Sequence, residues 1–176
     1  MNKDLEQLER YLTENGFALL SSAGSEQLRI SSTTAGINVI AVVTSDQNRL
    51  RIDTELPIRI APDRLAAMSE LCERVNDIVE VGYFVVTYRD RGLKHTCILP
   101  ISQGSLDKEM LISLFHGQMQ MNMSVIAHVV DLFVKVAVAG LSPEQAFAML
   151  EGKIHSWRGD ERIPPRLLEL ESVSVN

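Results

Sequence analysis

The chain has 176 residues, of which 45% are hydrophobic and 23% charged. That is enough to bury a core in one domain, removing roughly two-thirds of the unfolded surface from water, and it excludes global disorder. A formal net charge of −6, without any Lys/Arg cluster, argues against a nucleic-acid partner, because a phosphate backbone needs a concentrated basic face.

Leu5, Leu8 and Leu12 share one face of a first helix, which Asn15-Gly16 ends. From Phe17 to Thr54 the period changes to two. Leu28 and Ile30 alternate with Arg29 and Ser31, and Leu50 and Ile52 with Arg49, Arg51 and Asp53, as in strands with one wet face. Between them Ile37 to Val43 is apolar almost throughout, which predicts a central strand covered on both faces. Ala23-Gly24-Ser25, Ala35-Gly36 and Ser45-Asp46-Gln47-Asn48 have turn composition.

Pro62 suits the first turn of a second helix, whose buried stripe is Leu65, Met68, Leu71 or Cys72, and Val75. A hairpin follows with flanks Tyr83 to Tyr88 and Leu93 to Leu99, turning at Asp90-Arg91-Gly92 with Gly92 expected at positive φ. Ser105 is the expected N-cap of a third helix, with Asp107 and Glu109 in its first turn. Periodicity persists to about Ala139, and so long a helix predicts a kink or break near Gly117. Ser142-Pro143-Glu144-Gln145 forms a capping box for a short helix through Leu150, closed by Gly152. This delimits one domain over residues 1–152 and a mobile or loosely docked tail over residues 153–176. Strands in runs, with helices set apart from them, define an α+β fold: a twisted antiparallel sheet packed against helices.

Candidate chemistry is sparse. His95 and Cys97, two apart on a strand, point to one face, but further ligands for a metal are missing, so a packed sheet face is the expected outcome. Cys72 lies on an apolar helix stripe, where a thiol is inert. The only other cysteine is Cys97, and both read as reduced cytosolic thiols. Ser124, His128, Asp131 and Lys135 fall at helical spacing and define one wet stripe on a greasy helix. Those charges also argue against a membrane span, since each costs at least ~2.5 kcal/mol at a bilayer centre. No phosphate loop, zinc motif or nucleophile elbow is present, so no catalytic residue, cofactor or metal is assigned. The opening residues, Met1-Asn2-Lys3-Asp4-Leu5-Glu6, lack a signal peptide's apolar core, and the cytoplasm is the expected compartment.

Methionines concentrate in the third helix at Met110, Met119, Met121 and Met123. Thioethers suit adaptable surfaces, and one sheet cannot hide so apolar a helix. A homodimer or partner interface is expected over Met119, Met123, Ile126, Val130, Phe133 and Val134.

The block from Leu56 to Ile101 has a recognisable order. Leu56-Pro57, a helix ending at Asn76, Gly82-Tyr83-Phe84 and a hairpin returning to Leu99-Pro100 resemble the YbjN-like bacterial family, over Phe17 to about Leu150. The resemblance implies a type III secretion chaperone-like fold, often paired as a homodimer, in proteins described as regulators of sensory transduction, with no catalytic residues. The expected function is a non-catalytic, chaperone-like or regulatory module that binds an unidentified protein or peptide client, with no nucleic-acid or membrane partner. The competing expectation is a small-molecule sensor or enzyme with a pocket near His95, Cys97 or His128.

Overall fold

A computed structural model describes residues 3–21, 26–46, 49–101 and 107–157, with side chains described through residue 152. Helix α1 (Lys3–Glu14) precedes strands β1 (Ala18–Ser21), β2 (Gln27–Thr34), β3 (Ile37–Asp46) and β4 (Arg49–Arg59). A 3-10 turn at Pro62–Arg64 leads into α2 (Leu65–Asn76), then β5 (Tyr83–Thr87), β6 (Gly92–Pro100), α3 (Lys108–Val138) and α4 (Pro143–Trp157). The six strands form one sheet in the order β1-β2-β3-β4-β6-β5, every neighbouring pair antiparallel. The expected α+β class and element order hold.

The pleat sorts the residues. Leu28, Ile30, Ala41, Val43, Leu50, Ile52, Leu93 and Cys97 project to one face and are buried beneath the helices. The opposite face carries Arg29, Asp53, Glu55 and Lys94, joined by ion pairs at 3.2 Å (Arg29–Glu55) and 3.1 Å (Lys94–Asp53). The expectation that β3 is covered on both faces is therefore corrected. Val42 lies on the charged face, yet it is only 8% exposed, because its register neighbours Arg29 and Asp53 flank it and long charged side chains bury their stems along apolar surface.

Turn chemistry accounts for the connections. Gly16 at φ +73° closes α1, and the Phe17 N–H donates back to the Leu12 carbonyl at 3.0 Å. Ala35 and Gly36 both have positive φ, as a two-residue hairpin matching strand twist requires. In the β5–β6 hairpin the left-handed residue is Arg91, at φ +54°, and not Gly92. Gly92 is needed for closeness instead, since a Cβ there would meet the Thr87 hydroxyl at 2.9 Å. Pro57 sits in the register shift between Leu56 and Arg59, where a strand tolerates a missing donor.

The third and fourth helices depart from expectation. Helix α3 runs unbroken through Gly117, because packing holds it on either side: Leu111 and Phe115 in one apolar cluster, Ile126 to Val136 in the other. It is long and apolar enough to cross a membrane, but its inner stripe is the lid of the sheet. Its N-cap is Asp107, which accepts the Met110 N–H at 2.8 Å; Ser105 lies outside the described residues. At its other end Arg64, from the start of α2, donates to the Val136 carbonyl at 2.9 Å and the Leu141 carbonyl at 2.6 Å, capping helix carbonyls with a cation. The capping box of α4 is formed as expected, Ser142 N–H to Gln145 Oε1 at 3.1 Å and Gln145 N–H to Ser142 Oγ at 3.3 Å. The helix passes Gly152 and continues to Trp157, which corrects the expected tail over residues 153–157; residues 158–176 lie outside the described part.

A Cβ added at Gly117 would meet nothing within 4 Å, and glycine within a helix costs roughly 0.5–1 kcal/mol relative to alanine. Gly117→Ala should therefore raise the urea-unfolding free energy by about that amount, and a loss of stability would mean that the helix needs a hinge there.

Candidate functional site

Where α3 crosses the middle of the sheet, the apolar interface is interrupted by a buried polar layer. Thr54, His95 and Asn122 are each 0% exposed. Asn122 donates through Nδ2 to Thr54 Oγ1 at 2.7 Å, and its Oδ1 lies 2.6 Å from His95 Nδ1. With the amide so committed, Nδ1 carries the imidazole proton, and Nε2 is left as a buried lone pair without a partner among the described residues. The Cys97 sulfur is 3.6 Å from Nδ1, and the Phe84 ring stacks obliquely on the imidazole at 4.5 Å.

Gly82 seals this layer from the outside. Its φ is +73°, and a Cβ there would sit 2.5 Å from the Thr96 carbonyl and 2.7 Å from both Cys97 Sγ and His95 Cε1. The space beside His95 and Cys97 is filled by backbone. Asn76, at the end of α2, accepts the Phe84 N–H at 2.7 Å and donates to the Phe84 carbonyl at 2.9 Å. Its side chain thus pairs with the outer edge of β5 as a neighbouring strand would. Asn76 and Gly82-Tyr83-Phe84, which carry the sequence resemblance, hold one corner of the fold together.

Burial lowers the His95 pKa from its ordinary 6.5, with the Asn122 oxygen and the Val81 carbonyl pulling weakly the other way. As an acceptor, that carbonyl offers nothing to the lone pair of a neutral ring. Burial also pushes the Cys97 thiol up to about 11 and the Cys72 thiol up to about 12, so both stay protonated and unreactive. Among the described residues no group of three His, Cys, Asp or Glu could hold a metal ion. On the open face burial raises the Asp53 pKa, but Thr96, Arg51 and Lys94 together outweigh it and hold the carboxyl below its usual value.

The expected interface residues separate. Ile126, Val130 and Phe133 belong to the chain's own core at 0%, 6% and 0% exposure, so their place in an interface is corrected: α2, α4 and the sheet already cover them. Val134 is exposed, and Met119 and Met123 are half-buried. The wet stripe stands as read, with His128 Nδ1 on the Ser124 carbonyl at 2.6 Å and Lys135 on Asp131 at 2.8 Å.

Met119 and Met123 instead line a groove of about 280 Å³ between α1, the end of β2 and the N-terminal half of α3. Phe115 and Phe17 form its apolar walls, and Ser32 lies at the sheet end. His116 supplies polar lining, placed between the Tyr11 hydroxyl at 3.3 Å and the Gln120 amide at 2.9 Å. Among the described residues no Asp, Glu, Lys or Arg lines it. On the same helix Met110, Leu114 and Met121 stand exposed. Sequence reasoning found Met119 and Met123 by their clustering but missed Phe115, one turn before Met119 on the same helix, and Tyr11 and Phe17, which join them only through the docking of α1. A second concavity, about 800 Å³, lies on the open face of the sheet, where Arg29, Arg89 and Lys94 balance Asp53, Glu55 and Asp90.

This is an α+β protein with its helices gathered on one face of an antiparallel sheet, and its fold is that of YbjN. Among solved structures, "YbjN, a putative transcription regulator from E. coli" matches with a TM-score of 0.54 at 13% identity, over 72% of this chain and 91% of that chain. No family model and no curated protein sequence matches.

His95 yields a pH prediction with a definite sign. Its folded-state pKa is depressed, so its contribution to stability is fully present above the unfolded value of about 6.5 and is lost as pH falls through the folded value. The denaturation midpoint should drop below pH 6.5 more steeply in the natural chain than in His95→Gln. Parallel pH profiles would show that the imidazole is not the group being titrated.

Proposed function

We propose that the chain is a non-catalytic polypeptide-binding module, chaperone-like or regulatory in role, acting in the cytoplasm as a homodimer. The observation that supports this most directly is the groove beneath Met119 and Met123. It is apolar and uncharged, and at about 280 Å³ it falls just under the ~300–1,000 Å³ of small-molecule pockets. Such a site takes one or two apolar side chains of a longer segment, and adaptable thioethers suit that work. The alternative, a sensor or enzyme pocket on His95 and Cys97, is disfavoured because Gly82 packs against both. The structural neighbour YbjN is titled "a putative transcription regulator". With a net charge of −6, regulation by this chain would act through protein contact, since direct binding to DNA needs a basic face.

Met119→Glu places a charge in the groove without opening the core. Affinity capture from lysate with the natural chain should recover a protein client that this variant loses at least tenfold, at an unchanged melting temperature. Equal recovery by both proteins would remove the groove from the function.

Self-association draws on the exposed Met110, Leu114 and Met121 and on Val134. Sedimentation at tens of micromolar should show a dimer that dissociates in Leu114→Asp. A monomer of the natural chain at that concentration would refute the dimer, specific interfaces generally burying about 1,200–2,000 Å² in total.

A further inference from the structure

The outward edge of α3 is divided along its length. Met110, Leu114, Gly117 and Met121 follow one another at intervals of four, three and four, and Ser124, His128, Asp131 and Lys135 continue the alternation. Positions so spaced lie along one line of a helix, and each of them is exposed or half-buried. The first half of the line is apolar, with Met110, Leu114 and Met121 all more than 40% exposed. The second half is wet and carries the ion pair of Lys135 with Asp131 at 2.8 Å. Gly117, in the apolar half, has no task among the described residues: the helix runs through it, and a Cβ there would meet nothing within 4 Å. Alanine would serve the helix better, whereas glycine lets a second backbone come close.

We propose that a second copy of the chain packs its α3 antiparallel across this apolar half, on a two-fold axis that passes beside Gly117. This rests on the homodimer reading and fixes its geometry. Such an axis sets Leu114 of one copy against Met121 of the other, and Met110 against Ser124, each contact made twice. Parallel pairing along the same line would press His128 and the Asp131–Lys135 pair against their own copies and strip charges of water. The antiparallel register leaves that half in solvent. Residues 108–127 of the two helices then overlap, over about 30 Å at ~1.5 Å per residue. Half the flank of a helix ~10–12 Å across is about 500–600 Å² over that length. Two copies bury roughly 1,000–1,200 Å² in total, the size at which a specific interface begins to hold. A dimer that forms at micromolar concentration follows.

Single cysteines in the full chain test the register by oxidative cross-linking at tens of micromolar. Cys72 and Cys97 are buried and stay out of the reaction. A disulfide needs Cα atoms within roughly 7 Å. Gly117→Cys meets its own copy and should cross-link. Met110→Cys and Ser124→Cys each stand about 20 Å along the helix from their own copies, so neither should cross-link alone, but a mixture of the two should. Cross-linking in the mixture carries the proposal even where a cysteine at position 117 crowds the axis. Val138→Cys, 81% exposed and beyond the overlap, reports random collision and should stay monomeric on a non-reducing gel. Met110→Cys that cross-links to itself as fast as Gly117→Cys would overturn the antiparallel arrangement, and so would equal cross-linking of Val138→Cys. If the natural chain sediments as a dimer while neither Gly117→Cys nor the mixture cross-links, the geometry fails and the dimer stands. If the natural chain sediments as a monomer, both fail.

Discussion

Asn122 makes two hydrogen bonds at the centre of the interface between α3 and the sheet, one to Thr54 on β4 and one to His95 on β6. Apolar contacts alone would let a long greasy helix slide by a turn over a greasy sheet, because burial is non-directional. An amide that must reach two particular strands does not allow this, since either partner left unsatisfied in the interior costs about 1–3 kcal/mol. The layer also divides the core. On one side α1 and the first half of α3 cover β2, β3 and the start of β4. On the other, α2, α4 and the second half of α3 cover β5 and the start of β6. Arg64 secures the far end of the same helix, so α3 is held at its middle and at its C-terminus.

The corner formed by Asn76, Gly82 and Phe84 shows why a short motif persists as a unit of structure. Gly82 must lack a side chain because β6 passes against its Cα, and it must accept a positive φ. Asn76 must be an amide because it both accepts from and donates to the backbone of Phe84. Phe84 in turn stacks between His95 and Phe133, at 4.5 and 4.8 Å, and so ties the corner to the polar layer. Asn76, Gly82 and Phe84 each have a separate physical reason to be there, and none of those reasons is chemical reactivity.

The sheet presents two unlike surfaces beyond this core. Its open face is a lattice of mutually neutralising charges, a poor template for either an anion or an apolar ligand. The edge at β5 is engaged by Asn76 and flanked by α2, which discourages strand addition. What is left with an unbalanced appetite for burial is the helix side: the groove under Met119 and Met123 and the exposed Met110, Leu114 and Met121. The functional reading turns on that asymmetry.

Period and turn chemistry are local, and they were legible in the residues themselves. Leu5, Leu8 and Leu12 face inward as their spacing requires, Gly16 ends α1, and Ser142 and Gln145 close their box, because each depends on neighbours within a turn of chain. Residues whose roles depend on distant partners were not legible. Gly117 looks like a hinge until two apolar clusters clamp the helix on either side, and Gly152 looks like a stop until α4 runs past it. Ile126, Val130 and Phe133 look like surplus apolar surface until α2 and α4 arrive to cover them. His95 and Cys97 were placed correctly on one face, but Asn122 and Thr54 carried no signal that they would meet there. The groove was half visible, in the methionines of α3, and half hidden, in Tyr11 and Phe17, which only the docking of α1 brings to them. Sequence determines which faces are apolar; only the tertiary fold decides which of those faces meet, because burial depends on area and not on the identity of the partner.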